Sequence, residues 1–187
     1  MGFSVFGGER EKPLSYDKVN NAELTALAFD VLEKIRDGDY PALSRATHSA
    51  FGVVFSPCAT VDLKKNLRFS AEQIAAFGAD SKNYVWGVYS LSGEPIEMTP
   101  AEYFSEFVLD RDYTCAAVVG VNHVVRSGNA LENITYVFPD VLFVDFHFPG
   151  SDKDTAEEPD WSSLRLGFEE DDGKLRLTVI LHSERTV

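Results

Sequence analysis

The stretch SLRLGFEEDDGKLRLTVILH, residues 163–182, decides the fold. Asp172-Gly173 is a dipeptide favoured in two-residue hairpin turns, because both residues tolerate the left-handed backbone that such a turn needs. With those two as the turn, the strands pair outward from Asp171 and Lys174. Phe168 then opposes Leu177, Leu166 opposes Val179 and Leu164 opposes Leu181, which makes one face wholly apolar. The other face pairs Glu169 with Arg176, Gly167 with Thr178, Arg165 with Ile180 and Ser163 with His182. A slip by one residue sets polar against apolar throughout, so the pattern defines the register. A hairpin this long with one greasy face must lie against a second layer.

Working outward from the hairpin, Val141 to Phe148 alternates as a strand, with Leu142, Val144, Phe146 and Phe148 on one side and Val141, Phe143, Asp145 and His147 on the other. Strands are also expected over Ala116 to Arg126, Tyr84 to Tyr89, Phe51 to Phe55 and part of Val61 to Phe69. Upstream, Leu24, Leu27, Ala28, Val31, Leu32 and Ile35 recur at helical spacing and stop near Gly38. Pro41 suits the first turn of a second helix running to about His48. Ser70 with Gln73, and Thr99 with Pro100 and Glu102, are capping signals for two further short helices. Helices first and strands later indicate an α+β domain over residues 20–187, preceded by an arm over 1–19 that lacks periodicity. The first helix should bury Leu27 and Val31 on a curved antiparallel sheet.

The chain has 187 residues, of which 44% are hydrophobic, enough for one well-buried core. Seventeen Lys and Arg stand against 30 Asp and Glu, giving a net charge of -13 that repels nucleic acid and anionic membranes. Cys58 and Cys115 fit no disulfide scaffold and no zinc or redox spacing, and read as two buried free thiols. No run reaches the ~18 apolar residues of a transmembrane helix. Nucleophile-elbow, phosphate-loop, dinucleotide and zinc-protease motifs are all missing from the sequence. The Asn133-Ile134-Thr135 sequon reads as accidental, and the acidic run Asp152, Asp154, Glu157, Glu158, Asp160 as a solvated loop rather than a calcium site.

One polar constellation emerges. Asp145 and His147 project from the same strand face about 7 Å apart, close enough for a water or substrate to bridge them. Arg165 and His182 share the polar face of the closing hairpin and would join them if that face were concave. Arg165 would then hold a carboxylate, His182 would donate or accept, and Trp86, Tyr103 and Trp161 would supply an aromatic wall. Against this stand, for Asp145 and His147, a solvated outer face or a buried pair satisfied by neighbours, for Arg165 an ordinary ion pair with an acidic neighbour, and for each Trp core packing. His48 is expected at a helix terminus, and His123 in a strand without a partner. His147, His182 and Asp145 are suitable ligand types for a metal but lack the spacing, so neither a metal nor another cofactor is expected.

Several words of the sequence resemble a family of uncharacterised bacterial proteins, many of them secreted or lipid-anchored. They are Gly52-Val53-Val54-Phe55-Ser56-Pro57, Tyr84-Val85-Trp86-Gly87 with Ser92-Gly93-Glu94-Pro95-Ile96, Phe146-His147-Phe148-Pro149-Gly150, and Asp160-Trp161-Ser162-Ser163-Leu164-Arg165-Leu166 before the closing Leu181-His182. The opening helix, the Gly38-Asp39 break, the second helix and the closing hairpin also look like the nuclear transport factor 2-like, or cystatin-like, fold. That resemblance implies a curved sheet around a helix with a conical pocket. It also implies an extracytoplasmic location if a leader preceded Met1, and a cytoplasmic one otherwise. Fold alone does not choose between functions. The expected function is non-enzymatic binding of a small molecule or protein in that pocket, with a homodimer left open. The alternative is a hydrolase, isomerase or dehydratase using Asp145 and His147 as an acid–base pair.

Overall fold

Asn20 starts the first helix, its side-chain oxygen accepting from the backbone N–H groups of Ala22 and Glu23 at 2.7 and 3.1 Å. Helix α1 (Asn21–Arg36) carries Lys34 and Arg36 in its last turn, where they complement the helix dipole. Gly38, at φ 64°, turns the chain back, and Asp39 caps α2 (Tyr40–Ala46) by accepting from Ala42 at 2.9 Å. These residues belong to a computed structural model that describes residues 20–150 and 160–185. The arm over 1–19 and most of the acidic run lie outside the described residues.

After α2 come β1 (Val53–Ser56), β2 (Leu67–Phe69), α3 (Ala71–Ala75), β3 (Tyr84–Val88), β4 (Pro95–Met98) and α4 (Pro100–Tyr103), which continues as a π-helical turn over Phe104–Val108. Both expected capping boxes form, at Ser70–Gln73 and Thr99–Glu102. The chain then runs through β5 (Val118–Val121), α5 (Ile134–Val137), β6 (Leu142–Phe148), β7 (Ser162–Asp171) and β8 (Lys174–Glu184).

Six strands form one sheet in the order β2-β1-β8-β7-β6-β5, while β3 and β4 pair separately. The sheet is mixed, which corrects the antiparallel expectation, because β1 runs parallel to β8 with Val54 beside Val179 and Phe55 beside Ile180. Its inner face packs on α1, where Phe29 meets Phe146 edge-on at 5.1 Å. Leu24, Ala28, Val31, Leu32 and Ile35 of α1 are buried in that core, whereas Leu27 is only half-buried at its edge. The core is rich in aromatics: Phe55, Phe69, Phe77, Trp86, Tyr103 and Phe104 pack together between sheet, hairpin and α4.

The closing hairpin turns at Asp172-Gly173, both at positive φ, and pairs as expected from Asp171–Lys174 to Phe168–Leu177. There the register slips. Thr178 is an extra residue, so Gly167 opposes Val179, Leu166 opposes Ile180, Arg165 opposes Leu181 and Leu164 opposes His182. Gly167 sits tight at the bulge, since a Cβ there would come within 2.5 Å of a Val179 methyl.

The outer face is covered too. A strap over residues 122–140, containing α5, lays Ile134 and Phe138 on Val54, Phe143, Val179 and Leu181 to form a second apolar cluster. Asn133 ties the strap down, its side chain accepting from Val61 N at 2.8 Å and donating to Val61 O at 2.9 Å. That use of the amide accounts for Asn133 without any glycan. Only Val118–Val121 of the expected strand 116–126 pairs in the sheet, because Asn122 adopts a positive φ and starts the strap. His123 therefore lies outside the strand assigned to it.

Candidate functional site

Asp145 on β6 and Arg165 on β7 face each other in register on the outer side of the sheet. The strap closes over them and both are 0% exposed. Arg165 donates through Nη1 to Glu132 Oε2 at 2.6 Å and through Nη2 to Asp145 Oδ2 at 3.2 Å. Asp145 Oδ2 also accepts the Val125 N–H of the strap at 2.9 Å. One buried guanidinium thus answers two carboxylates, so neither member of the buried Asp145–Arg165 pair is left as an unpaired charge. An external anion would have to displace both carboxylates. Glu132 Oε1, Asp145 Oδ1 and Arg165 Nε are left buried without hydrogen bonds, so the layer is imperfectly satisfied.

His147 shares this face, but its near neighbour is Ser163, whose Oγ lies 2.8 Å from Nδ1. Ser163 is fully buried, so its hydroxyl has no access to an outside carbonyl. Trp161, 2% exposed, covers His147 with ring centroids 5.8 Å apart, and the Arg126 guanidinium lies over the indole. Asp145, His147 and Arg165 are therefore brought to one face. His182 is not: the bulge at Thr178 turns it to the inner face, so Arg165 and His182 do not share a surface. The same bulge separates His182 from any ligand set with His147 and Asp145.

Trp86 and Tyr103 lie in the main core. Their rings stack at 3.8 Å and 9°, and the indole N–H donates to Met98 O at 2.9 Å. Burial pushes the Tyr103 hydroxyl well above its usual pKa. Both are fully buried among the surrounding aromatic side chains and do not form the wall of an open site. The free thiols differ from expectation in exposure, Cys58 being half-buried and Cys115 exposed. His48 ends near the hairpin turn, accepting from Phe51 N at 3.2 Å and lying 3.8 Å from Asp171.

On the inner face His182 joins residues that sequence reasoning did not single out. Ser162 Oγ donates to Asp110 Oδ2 at 2.7 Å and Tyr113 OH donates to Asp110 Oδ1 at 2.8 Å. The two hydroxyls touch each other, and Ser162 Oγ lies 3.4 Å from His182 Nε2. This is not a Ser-His-Asp triad, since the carboxylate holds the serine proton instead of orienting the imidazole. His182 is 3% exposed, and burial, partly opposed by Asp110, lowers its pKa to about 4. It is neutral at pH 7. Ser162 and His182 lie on one face of the sheet only because of the bulge, which the hairpin's sequence pattern does not mark.

Beyond His182 the strand ends at Glu184, whose side chain is 56% exposed with Oε2 4.0 Å from Nε2. Its remaining desolvation, followed by the Asp110 and Glu106 carboxylates, raises its pKa. Glu184 borders a cleft of about 120 Å3 with Pro57, Val88, Tyr89, Leu91 and Phe107. The Phe107 ring forms the shared wall, meeting the His182 ring at 5.7 Å. Tyr89 donates to Glu106 at 2.8 Å and fixes that carboxylate nearby. A second cleft, at the outer edge, is lined by Arg126, Ser127, Gly128, Asn129, Trp161 and Arg185, of which Arg126, Asn129 and Arg185 already have partners.

Among the described residues no helix is long and apolar enough to cross a membrane, and no three His, Cys, Asp or Glu side chains are grouped to hold a metal. No family model, curated protein or solved structure matches the chain.

Proposed function

We propose that this domain binds a small molecule without transforming it, in the cleft between the β3–β4 turn, Pro57, Phe107 and Glu184. The observation that carries this reading is the cleft's make-up: apolar walls at Val88, Leu91 and Phe107 beside one carboxylate, backed by the hydrogen-bonded group in which the exposed Asp110 meets the buried Tyr113, Ser162 and His182. Binding sites combine apolar lining with a few placed polar groups in this manner. Its volume, about 120 Å3, is near the ~150 Å3 of a cavity that accepts benzene. Catalysis by Asp145 and His147 has less support, because the strap seals both from solvent and Asp145 is bonded to Arg165.

The architecture favours a nuclear transport factor 2-like fold with an inserted β3–β4 hairpin. A helix pair leads into the β1–β2 hairpin, and the closing strand β8 returns parallel to β1 in the sheet centre. The proposed site then lies at the mouth of the cone, whose interior is packed with aromatic side chains. A fragment mixture titrated into 15N-labelled protein tests the reading. Shifts at Val88, Leu91, Phe107 and Glu184 support it; binding that perturbs only the strap and Arg165 places the site elsewhere.

A further inference from the structure

We infer that strand β5 is an interface, and that it pairs edge to edge, antiparallel, with β5 of a second copy of this chain. The inference is independent of the cleft proposed above.

The chain treats the two ends of its six-stranded sheet differently. β2, at one end, spans 3 residues, with Arg68 inside the strand and Lys64 and Lys65 just before it. Short length and basic side chains are common means of keeping an edge strand from pairing. β5, at the other end, lacks such charges: Ala116 to Asn122 reads AAVVGVN, with no charged residue and no proline. The ladder fixes which of its backbone groups are committed. Asn122 N–H donates to Phe143 O at 2.8 Å, toward β6, so by alternation Gly120 and Val118 bond to β6 as well, and the N–H and C=O groups of Val119 and Val121 point away from the sheet. Among the described residues, no strand lies beyond β5 and no backbone acceptor meets those two N–H groups.

The side chains select the occupant. On the inner face Val119 and Val121 form part of the rim of the main core together with Phe29, whose ring meets Phe146, the β6 neighbour of Val119. All three are half-buried, so an added strand gains most by presenting apolar residues at alternate positions on that face. β5 is itself such a strand. On the outer face Val118 is 44% exposed, while Gly120 carries no side chain because the His123 carbonyl stands where its Cβ would be. With a two-fold axis at Val119, that residue exchanges both main-chain bonds with the partner's Val119, and Val118 lies beside the partner's Gly120, where no Cβ crowds it. One segment thus supplies donors, acceptors and apolar rim to both sides of an isologous contact. The net charge of -13 opposes association at long range, but the edge itself is uncharged and salt screens the rest beyond roughly 8 Å.

Stable interfaces bury about 1,600 Å2, more than an edge of 4 residues supplies, so the dimer should assemble between about 10 μM and about 1 mM protein. Sedimentation velocity and NMR-detected amide exchange across that range, at fixed salt, test it. The weight-average sedimentation coefficient is expected to rise with concentration. Exchange at Val119 and Val121 should slow by at least about threefold, while Gly120, already bonded to β6, keeps its rate. Val118→Lys places a charge on the edge, and Val119→Pro removes a donor that β6 does not use, so both should stay monomeric. If the proline disturbs folding, Val118→Lys carries the comparison, since its side chain is exposed. A wild type that is monomeric at every concentration overturns the inference, as does a dimer that Val118→Lys leaves intact or in which Val119 and Val121 exchange as before. Protection of those two amides in the monomer at the lowest concentration overturns it as well, because the edge is then covered within one chain.

Discussion

Replacing Arg165 by Met removes the cation that pairs with both Asp145 and Glu132 in the layer beneath the strap. Asp145, at 0% exposure, would keep a single bond, from the Val125 N–H, and Glu132 would lose its 2.6 Å contact. Breaking a buried pair from one side costs about 3 to 5 kcal/mol, because the charge left behind is neither solvated nor paired. Glu132 is 17% exposed in its side chain and regains some water, so most of the loss falls on Asp145. The double variant Arg165→Met/Asp145→Asn keeps an acceptor for Val125 and removes the stranded charge. It should recover all but about 2 kcal/mol. Urea unfolding followed by circular dichroism reads both numbers by linear extrapolation. A single-variant loss under about 1 kcal/mol, or a double variant no better than the single, would refute the sealed layer beneath the strap.

Further outcomes follow from the same contacts. Leu24→Ala and Leu32→Ala, both inside the core, should each cost about 2 to 5 kcal/mol in urea unfolding, and Leu27→Ala, at the core's edge, clearly less. Gly52→Ala should cost more than about 1 kcal/mol, since its φ is 80° and its Cβ would lie 2.2 Å from Phe69 O; a neutral result would mean that the β1–β2 entry is built otherwise. His182 has a folded pKa near 4 against about 6.5 when unfolded, so the unfolded chain binds the extra proton first. The stability due to neutral His182 is complete above pH 6.5 and is lost as pH falls toward 4, at about 1.4 kcal/mol per unit. Glu184 and Glu169, whose pKa values are raised, oppose it at the acid end, so the slope is read as wild type minus His182→Asn. An equal slope in both proteins would contradict a buried neutral imidazole.

The sequence was most legible where local chemistry acts alone. The caps at Ser70 and Thr99, the α1 stripe and the Asp172-Gly173 turn each follow from neighbours a few residues apart. The register of the last hairpin was readable only as far as Phe168–Leu177. Thr178 belongs to the same strand pattern whether it pairs or bulges, and the bulge follows from packing around Gly167 and Val179. That one residue moved His182 to the other side of the sheet and hid its group with Asp110, Tyr113 and Ser162. The strap was illegible for a different reason. Val118 to Val125 is rich in β-branched valine like a strand, and Asn122 at φ 51° marks where it leaves the sheet. Without the strap, Asp145, His147 and Arg165 read as a polar face open to ligand. Strand β4 escaped notice because Pro95 and Glu97 break the β-branched pattern expected of a strand, although an edge position tolerates both.

The most direct test of the central claim is a crystallographic fragment soak with small amines, alcohols and acids. Density for a bound fragment is predicted among Pro57, Leu91, Phe107 and Glu184, with the Arg165–Asp145–Glu132 layer unchanged beneath its strap. Fragments lodged against Arg165 or His147 with the strap displaced, and the cleft beside Glu184 left empty, would contradict it.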